Sequence, residues 1–508
     1  MNNSAGDFLI LTGDLTDDDL GARIGGLDLG QATAVSTASF AVLDTFDQAV
    51  RSGGQMLIET DRSLMLYDGD ATLLQDARRR GAFVADLAPG PVKDALLHLS
   101  PLRALLSLGT GTVSHRQLVL TDDEGKTQAR ADLATLHPAG GGAAVTLATL
   151  RGLRGYDSAL EALRSHLVAF AAPDGAGIAD LPDLMFPGNS PYASKPKVAI
   201  TPDCTAFDAA NAIIAANLAV ARRNEAGINA DHDTEFLHDY RVALRRIRSV
   251  VSLFKEVYSE PQTAALKAAF SDMMAPTGRL RDLDVYLLER DHYYAMLPEG
   301  LHDGLSLMFA MMKKERQREH RKMARRMNSA AYLAAIAELE AMFGPDGDLG
   351  RGPKADQQAL GYACKLIWKR YRKVCAVAAT IGDDTADEHV HELRIICKKL
   401  RYLLEFFAPL LPAKSLGPIL KPLKKLQDNL GLFNDYSVQQ QALGDFMPGP
   451  ASKTGAQDLV LAQSIGALIA VLHARQKDER AKVMSNLSHF DSPDMQEKFR
   501  DLFHSKGG

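Results

Sequence analysis

The sequence predicts two folding units, an α+β domain over residues 1–170 and an all-α domain over residues 203–505, with a linker over residues 171–202 between them. Three observations support this. The chain has 508 residues, more than a single domain usually contains. Short β-rich runs separated by turn signals occur only in the first part, whereas the apolar residues after Thr205 recur with a period of 3.6. The helical part also contains an internal repeat.

The composition is that of an ordinary soluble globular protein. Hydrophobic residues make up 46% of the chain and charged residues 24%, with a net charge of -5, which excludes global disorder and fibrous classes. The four cysteines are too irregularly spaced for a disulfide framework or a CxxC metal site, and they suit a reducing cytoplasm. A basic leader before an apolar run and a stretch of about 18 apolar residues are both missing from the sequence, so we expect neither secretion nor a membrane span.

The acidity of the whole chain hides an uneven distribution. Residues 1–200 contain 16 Lys and Arg against 24 Asp and Glu, which leaves 42 against 39 for residues 201–508. In the second part the bases recur at helical spacing while the acids are scattered, so the local electrostatic field need not follow the net charge.

The first part contains candidate strands at residues 54–66 and 114–120, with turn signals at residues 68–69 and 122–125. Residues 149–170 have the pattern of an amphipathic helix, with Leu160, Leu163, Leu167 and Val168 on one face. The following segment is rich in Pro, Gly, Ala and Asp, a composition typical of a linker that cannot bury enough apolar surface to become ordered.

The internal repeat has an offset of 153 residues. The segment HDYRVALRRIRSVVSLF, from His238, aligns with HELRIICKKLRYLLEFF, from His391, and the register continues without a gap for 48 residues. Arg245 with Lys398 and Arg246 with Lys399 are conservative pairs within it. The repeat predicts two pseudo-symmetric four-helix bundles, over about residues 203–345 and 354–505, with breaks between helices that include residues 382–387 and 447–455.

Basic residues form four rows at helical spacing. These rows are His238, Arg241, Arg245 and Arg248; His391, Arg394, Lys398 and Arg401; Lys314, Arg318, Arg321 and Arg325; and Lys365, Lys369 and Arg372. The first row spans about 80° of a helix at 100° per residue, opposite an apolar face. Like charges at these spacings repel by a few tenths of a kcal/mol per pair, so all-basic rows are unfavourable without a ligand.

Any single row could instead cover the helix surface with its long stems or pair with acids of neighbouring helices. Recurrence at matched positions of two halves favours the other interpretation, in which the rows converge on a shared groove. The ligand that suits such a groove is a flexible polyanion with one negative charge per unit, bound by bidentate Arg and point-charge Lys contacts.

Nucleic acid is the competing ligand for a basic groove. Proteins that bind single strands usually present a series of aromatic side chains on which bases stack. The aromatic residues in the rows, Tyr240, Tyr402, Trp368 and Tyr371, are few and not interleaved in series. The sequence therefore favours inorganic polyphosphate, with RNA left open as an alternative.

The two repeated histidines lack the spacing of metal ligands, and no metal or cofactor is expected. Each histidine either hydrogen-bonds to a neighbouring loop or donates to a phosphate oxygen. Asp282 and Asp435 each follow a Gly by four residues and are expected to orient an Arg of the adjacent helix. We interpret both as structural supports, together with Asp284 and Asn434.

Four segments, HDYRVALRRIRS, GRLRDLDV, HELRIICKKLRY and LQDNLGLFND, resemble the hallmark motifs of the CHAD family, the conserved-histidine α-helical domains built from two four-helix halves. The resemblance covers about residues 200–505. It implies binding of inorganic polyphosphate along a basic central groove and residence on polyphosphate granules in the cytoplasm. Carried onto this chain, it points to the first two rows and adds Lys424; the predicted binding set further includes the other two rows, Arg246 and Lys399.

The first 170 residues resemble a degenerate CYTH domain, the triphosphate tunnel fold, in the segments FAVLDTFDQAVRSGGQMLIETDRSLMLYD and TLATLRGLRGYDSALEALRSHL. The family's ExExK signature is absent from residues 1–25, and Leu64, Leu66 and Tyr67 stand where basic residues would line the tunnel. A triphosphatase needs carboxylates for a divalent metal and a basic ring for its substrate. The resemblance therefore implies the fold without catalysis, and no catalytic residue is assigned.

Three alternatives stay open. The first part could be an unrelated α+β domain, and the helical part could bind nucleic acid or an acidic protein. The third alternative is a triphosphatase that uses carboxylates of the first part, namely Glu59, Asp61, Asp122, Asp123 and Glu124.

Overall fold

The computed structural model describes residues 7–32, 35–69, 72–172, 177–189, 191–382, 385–446 and 455–504. The chain forms two compact units, Met1–Ser194 and Lys195–Gly508. The first unit combines an antiparallel sheet with short helices and the second is helical, so the predicted fold classes are confirmed. The division lies inside the region predicted to be a linker.

The described strands of the first unit form one antiparallel sheet. They are β1 Asp7–Thr12, β2 Arg23–Ile24, β3 Leu27–Gln31, β4 Ser36–Thr45, β5 Met56–Thr60, β6 Ser63–Tyr67, β7 Thr72–Asp76, β8 Leu105–Thr121, β9 Thr127–Pro138 and β10 Val145–Gly152. Their order is β1-β10-β9-β8-β4-β5-β6-β7, while β3 pairs with both β8 and β2. The predicted turn between β8 and β9 is closed by the amide of Gly125, which donates to the carbonyl of Asp122 over 2.8 Å.

The first unit also contains five α-helices among the described residues, three between strands and two after β10. They are α1 Asp17–Leu20, α2 Ala49–Ser52, α3 Pro91–Leu96, α4 Asp157–Val168 and α5 Leu181–Met185. Helix α4 is the predicted amphipathic helix, but it begins at Asp157 because residues 149–152 belong to strand β10. Leu163 and Leu167 are buried against the sheet. Val168 was expected on the same face but is 47% exposed, because it lies 100° around the helix from Leu167.

Part of the predicted linker is ordered in the first unit. Ile178, Leu181 and Met185 are buried in the same apolar cluster as Phe40 and Met65 of the sheet. The segment departs from the linker prediction because its few apolar residues are grouped closely enough to cover one part of the sheet, although its average composition is polar and rich in Pro and Gly. Residues 173–176 and 190 of the linker lie outside the described residues.

The second unit consists of helices joined by short connections. They are α6 Ala206–Ala230, α7 Thr234–Leu253, α8 Glu260–Met274, α9 Gly278–Leu288, α10 Arg290–Met296, α11 His302–Met327, α12 Ala330–Met342, α13 Ala359–Ala378, α14 Asp387–Phe406, α15 Ala413–Gly444, α16 Ala456–Phe490 and α17 Pro493–Phe499. A π-helical turn, Arg500–His504, follows the last of them.

The helices reproduce the internal repeat. Helices α13, α14 and α15 begin 153 residues after α6, α7 and α8, respectively. The match is imperfect after that, because α15 runs continuously through positions that a 3₁₀ turn at Ala275–Thr277 interrupts in the first half. Of the predicted breaks, residues 383–384 and 447–454 lie outside the described residues.

Equivalent helices of the two halves pack against each other, α6 on α13, α7 on α14 and α11 on α16. Among the described residues, contacts join three pairs that are separated by 153 positions. Thr205 forms a β-bridge with Gln358, the rings of Phe254 and Phe407 stack 4.9 Å apart, and the Tyr286 hydroxyl donates to the carbonyl of Gln439 over 3.4 Å. Equivalent residues contact each other only near a two-fold axis, so these pairs mark a pseudo-two-fold axis.

The face of α7 opposite its basic row is apolar and packs inward. Leu244, Ile247, Val251 and Phe254 are all buried, as the periodicity predicted. The first turn of α7 is capped by Asp233, whose carboxylate accepts from the amides of Glu235 and Phe236. Because the apolar face of α7 is buried, its row of basic residues lies on the opposite face of the helix.

Helix α16 is, among the described residues, the one helix long and apolar enough to cross a membrane. A buried core helix can have the same length and apolar composition as a membrane-spanning helix. Leu461, Ile465, Leu468 and Leu472 of α16 are buried in an apolar cluster with residues of α9, α10 and α11.

Candidate functional site

Basic residues of α7 and α14 lie together beside the pseudo-two-fold axis. We refer to Arg241 and Arg245 of α7 and Arg394, Lys398 and Arg401 of α14 as the central cluster. All five side chains are partly buried. Because α7 and α14 are equivalent helices that pack on each other, the two rows reach the same region of the surface.

This arrangement lowers the pKa of Lys398 strongly. Burial, together with the positive charges of Arg245, Arg394 and Arg401, lowers the pKa of Lys398 to about 8, and the negative charge of Asp435 offsets part of the shift. Arg245 and Lys398 are equivalent positions of the two halves, so the like charges meet across the axis. The ammonium also lies 5.9 Å from the ring centre of Tyr402.

The pKa of Arg241 is also lowered by burial and by neighbouring positive charges. Burial, followed by the charge of Arg245, lowers the pKa of Arg241 to about 10, and the opposite charge of Asp282 offsets part of the effect. One guanidinium nitrogen of Arg241 donates to the hydroxyl of Thr277, which is buried. The Nε groups of Arg241 and Arg245 are buried without a hydrogen-bond partner among the described residues.

Two aspartates accompany the arginines at equivalent positions. A carboxylate oxygen of Asp435 lies 3.6 Å from Arg394, and the charge of Asp282 acts on Arg241. Arg241 and Arg394 are equivalent positions of the repeat, and so are Asp282 and Asp435. Each half therefore has the same arginine–aspartate combination.

Glu405 connects the two halves of the helical unit beside the central cluster. One oxygen accepts from Arg401 over 2.7 Å, and the other accepts from Arg246 of α7 over 3.0 Å. The guanidinium of Arg246 also lies 5.1 Å from the ring centre of Phe406. The charge of Arg246, which the sequence placed in the binding set, is therefore already paired. Among the described residues, these six cations have three neighbouring carboxylates, those of Asp282, Asp435 and Glu405.

The two repeated histidines have different surroundings. The Nδ1 of His391, an exposed residue, lies 2.6 Å from the amide oxygen of Asn434, so Nδ1 carries the proton and Nε2 accepts when the ring is neutral. The supporting role predicted for Asn434 stays a prediction. His238 is partly buried, and Arg281 occupies the position in the first half that is equivalent to Asn434.

Asp284 pairs with Arg316, and its predicted role as a structural support stays a prediction. It is 1% exposed and accepts from Nε of Arg316 over 2.8 Å, while the other end of the same guanidinium binds Asp231 at the end of α6. Burial raises the pKa of Asp284, and the charge of Arg316 opposes that shift. The network joins α6, α9 and α11 and contains no residue of the central cluster.

Lys399 is partly buried, and the remaining predicted binding residues are exposed. They are Arg248 on α7; Lys314, Arg318, Arg321 and Arg325 on α11; Lys365, Lys369 and Arg372 on α13; and Lys424 on α15. Within the described part of the chain, the contacts made by the α11 row are with its own helix. Of the four predicted rows, the contacts bring two together, and convergence of the other two stays a prediction.

Sequence reasoning missed Arg281 and Glu405. Arg281 lies in the GRLRDLDV segment and its charge contributes to lowering the pKa of Arg241. Glu405 follows Arg401 by four residues, the spacing of a helical ion pair, which is a signal the sequence does carry.

Residues 212–444 match the family model of the CHAD domain. The helical unit is a CHAD domain. Among solved structures, it is similar to the CHAD domain from the plant Ricinus communis, with 28% identity over 59% of this chain and 97% of that one and a TM-score of 0.49. It is also similar to PptA from Streptomyces chartreusis, with 19% identity over 58% of this chain and 99% of that one and a TM-score of 0.38. The comparison with curated proteins gives no match.

The CHAD domain contains the motifs on which the resemblance was based. HDYRVALRRIRS and HELRIICKKLRY lie in α7 and α14, and LQDNLGLFND lies in α15. The central cluster therefore consists of residues from the family's own motifs. The CYTH resemblance of the first unit stays a prediction.

The first unit, outside the CHAD domain, contains a cavity of about 810 Å³ beside β4, β5, β8 and β9. Its polar lining includes Glu59, Asp61, Arg79 and His137, and Glu59 is paired with Arg79 over 3.0 Å. Leu64 and Leu66, at positions where the tunnel family has basic residues, are buried.

The carboxylates considered for a triphosphatase do not gather in this cavity. Glu59 and Asp61 line it, whereas Asp122 accepts from the amides of Glu124 and Lys126 in the turn between β8 and β9. Within the described residues, no group of three or more His, Cys, Asp or Glu is placed to hold a metal ion.

Proposed function

We propose that the CHAD domain binds inorganic polyphosphate through the central cluster. One observation carries the proposal: Arg245 and Lys398, equivalent residues of the two halves, lie close enough for their like charges to contribute to a pKa of about 8 at Lys398. Such repulsion is unfavourable in the free protein, and a multiply charged anion would remove it. The family's link to polyphosphate supports the same ligand.

The chemistry of the cluster suits phosphate groups. Arginine forks bind phosphate oxygens in a bidentate manner, and lysine contributes a point charge without directional demands. The three neighbouring carboxylates leave an excess of positive charge among the described residues. A linear phosphate polymer can place successive charges opposite successive cations.

The aromatic residues near the cluster favour a polymer without bases. The ring of Tyr402 stacks on Phe406 with centres 5.8 Å apart, and Phe406 is buried. One face of Tyr402 is therefore used in packing, whereas a strand-binding protein presents a series of aromatic faces to its ligand. We further propose that the protein acts in the cytoplasm, on polyphosphate granules, without catalysing a reaction.

A charge-reversal experiment tests this function in the full chain. Binding of labelled polyphosphate is measured at fixed ionic strength for the wild type and for the double variant Arg241→Glu, Arg394→Glu. We expect the double variant to lose binding while its helical circular dichroism is retained. The matched control is Lys267→Glu, Lys477→Glu, at exposed positions of α8 and α16 outside the predicted binding set, which changes the net charge equally.

Two outcomes would contradict the proposal. Equal loss in the control would show that binding follows net charge instead of the central cluster. Tighter binding of single-stranded RNA than of polyphosphate with the same number of charges, at the same salt, would identify a nucleic-acid binder. In the expected case, the logarithm of the affinity falls linearly with that of the salt concentration, because bound phosphates release counterions.

A further inference from the structure

A second group of cations lies on another side of α14. We refer to Lys255, Arg370, Lys373 and Lys399 as the outer cluster. Lys399 follows Lys398 directly, so its side chain is about 100° further around the helix. Burial lowers the pKa of Lys399, and the charges of Arg370, Lys373 and Lys255 add to the shift. The central cluster contributes none of these charges.

The outer cluster has little compensating negative charge. Lys373 lies 3.7 Å from Glu392, a pair in which both side chains are about half exposed, at 54% and 51%. Glu256, which follows Lys255, is paired with Lys354 over 3.2 Å. Arg370 is partly buried and has neither a hydrogen-bond partner nor an ion pair among the described residues, and burial lowers its pKa.

Packing fixes the segments that carry these cations. The hydroxyl of Tyr362, a buried residue of α13, donates to the backbone carbonyl of Lys255 over 2.9 Å, which attaches the end of α7 to α13. Arg370 and Lys373 project from α13 one turn apart, and Lys399 projects from α14, which packs on α13. Three segments thus bring four positive charges to one place.

The two cations that α13 contributes to the outer cluster have no basic counterpart in the first half. The positions equivalent to Arg370 and Lys373 are Asn217 and Val220, both buried in α6. The outer cluster therefore does not follow the pseudo-two-fold symmetry that relates Arg245 to Lys398 in the central cluster.

We propose that the outer cluster is a second phosphate-binding surface, so that one CHAD domain holds two separate stretches of polyphosphate; this rests on the proposed function. Arg370 supplies an unpaired guanidinium fork, and the three lysines supply point charges around it. When two surfaces bind one long polymer, the second contact is intramolecular, which raises the affinity for long chains far more than for short ones.

Four full-length proteins test the proposal: the wild type, the central variant Arg245→Gln, Lys398→Gln, the outer variant Arg370→Gln, Lys399→Gln, and the combination of both. Each is titrated with labelled long-chain polyphosphate and with tripolyphosphate at low salt. We expect the outer variant to lose about 10- to 100-fold in affinity for the long chain while its tripolyphosphate affinity stays within about threefold. The central variant should retain weak long-chain binding that disappears in the combination.

The control variant Lys267→Gln, Arg290→Gln removes one lysine and one arginine from exposed positions of α8 and α10, outside the predicted binding set, and should bind both ligands as the wild type does. Lys373→Gln, at an exposed position, is a milder substitution within the outer cluster that covers the case in which Arg370→Gln impairs folding.

The proposal is overturned if the outer variant and Lys373→Gln bind long chains as the wild type does and the combination is no weaker than the central variant. Absence of polyphosphate binding in the wild type would remove the proposed function and this inference together, whereas normal binding with an unaffected outer variant removes only the inference.

Discussion

Replacement of Lys398 by methionine should stabilise the free protein. The pKa of Lys398 falls from 10.5 to about 8 in the folded chain, and each pKa unit corresponds to 1.36 kcal/mol, so the charge destabilises the fold by roughly 3 kcal/mol before screening. Because the side chain is partly exposed, we expect about 1–2 kcal/mol in practice. Methionine keeps the buried apolar stem, and the midpoint of thermal unfolding should rise by about 2–6 °C.

The stability gained by Lys398→Met depends on pH, because the pKa of Lys398 is lower in the folded protein than in the unfolded one. A lysine with a lowered folded pKa destabilises the fold fully below that pKa, and the effect disappears as the pH rises toward the unfolded value. The advantage of Lys398→Met should therefore be complete at pH 7 and shrink between about pH 8 and 10.5.

The assay is thermal unfolding of the full chain, followed by helical circular dichroism at low salt. Lys477→Met, at an exposed position of α16, is the matched control and should change the midpoint little. Saturating polyphosphate should cancel the advantage, because the ligand relieves the same repulsion in the wild type. A Lys398→Met protein no more stable than the control at pH 7, or one whose advantage persists unchanged at pH 11, would refute the electrostatic explanation.

Three other results are expected. Polyphosphate affinity should fall as the pH rises through about 8, because Lys398 loses its charge, and Lys398→Arg should flatten the profile in binding titrations; a wild-type profile that is flat from pH 7 to 9 would contradict this. Phe254→Ala removes the stack on Phe407 at the axis and should lower the unfolding free energy by about 3–5 kcal/mol in denaturant titration, whereas a loss below about 1 kcal/mol would mean that the halves do not depend on this contact. Incubation with tripolyphosphate and magnesium or manganese should release no phosphate above a buffer blank; release that Glu59→Gln abolishes would instead establish a triphosphatase in the first unit.

The arrangement of α7 and α14 was predictable from the sequence, because both the helical period and the 153-residue offset can be seen without knowledge of the packing. The apolar faces and the basic rows follow from that period, and the meeting of Arg245 with Lys398 follows from the repeat once equivalent helices pack on each other. Local chemistry and symmetry together determine this part of the candidate site.

What the sequence did not show depends on contacts between distant segments. Arg246 has the pattern of a ligand residue but is paired with Glu405, which lies 159 positions away. Lys399 was grouped with Lys398, yet burial and neighbours from α13 place it in another cluster. Ile178 and Met185 lie in a segment of polar average composition, and only the structure shows that they complete the sheet's core.

The stacked rings of Phe254 and Phe407 show that the two halves are related by a rotation about a line near this pair. A linear polymer bound across this axis therefore contacts the same order of positive charges in either of its two orientations. The two ends of linear polyphosphate are chemically identical, so both orientations of the polymer can bind equally well. An RNA strand has a 5′ and a 3′ end, and only one of its two orientations could match a given set of contacts.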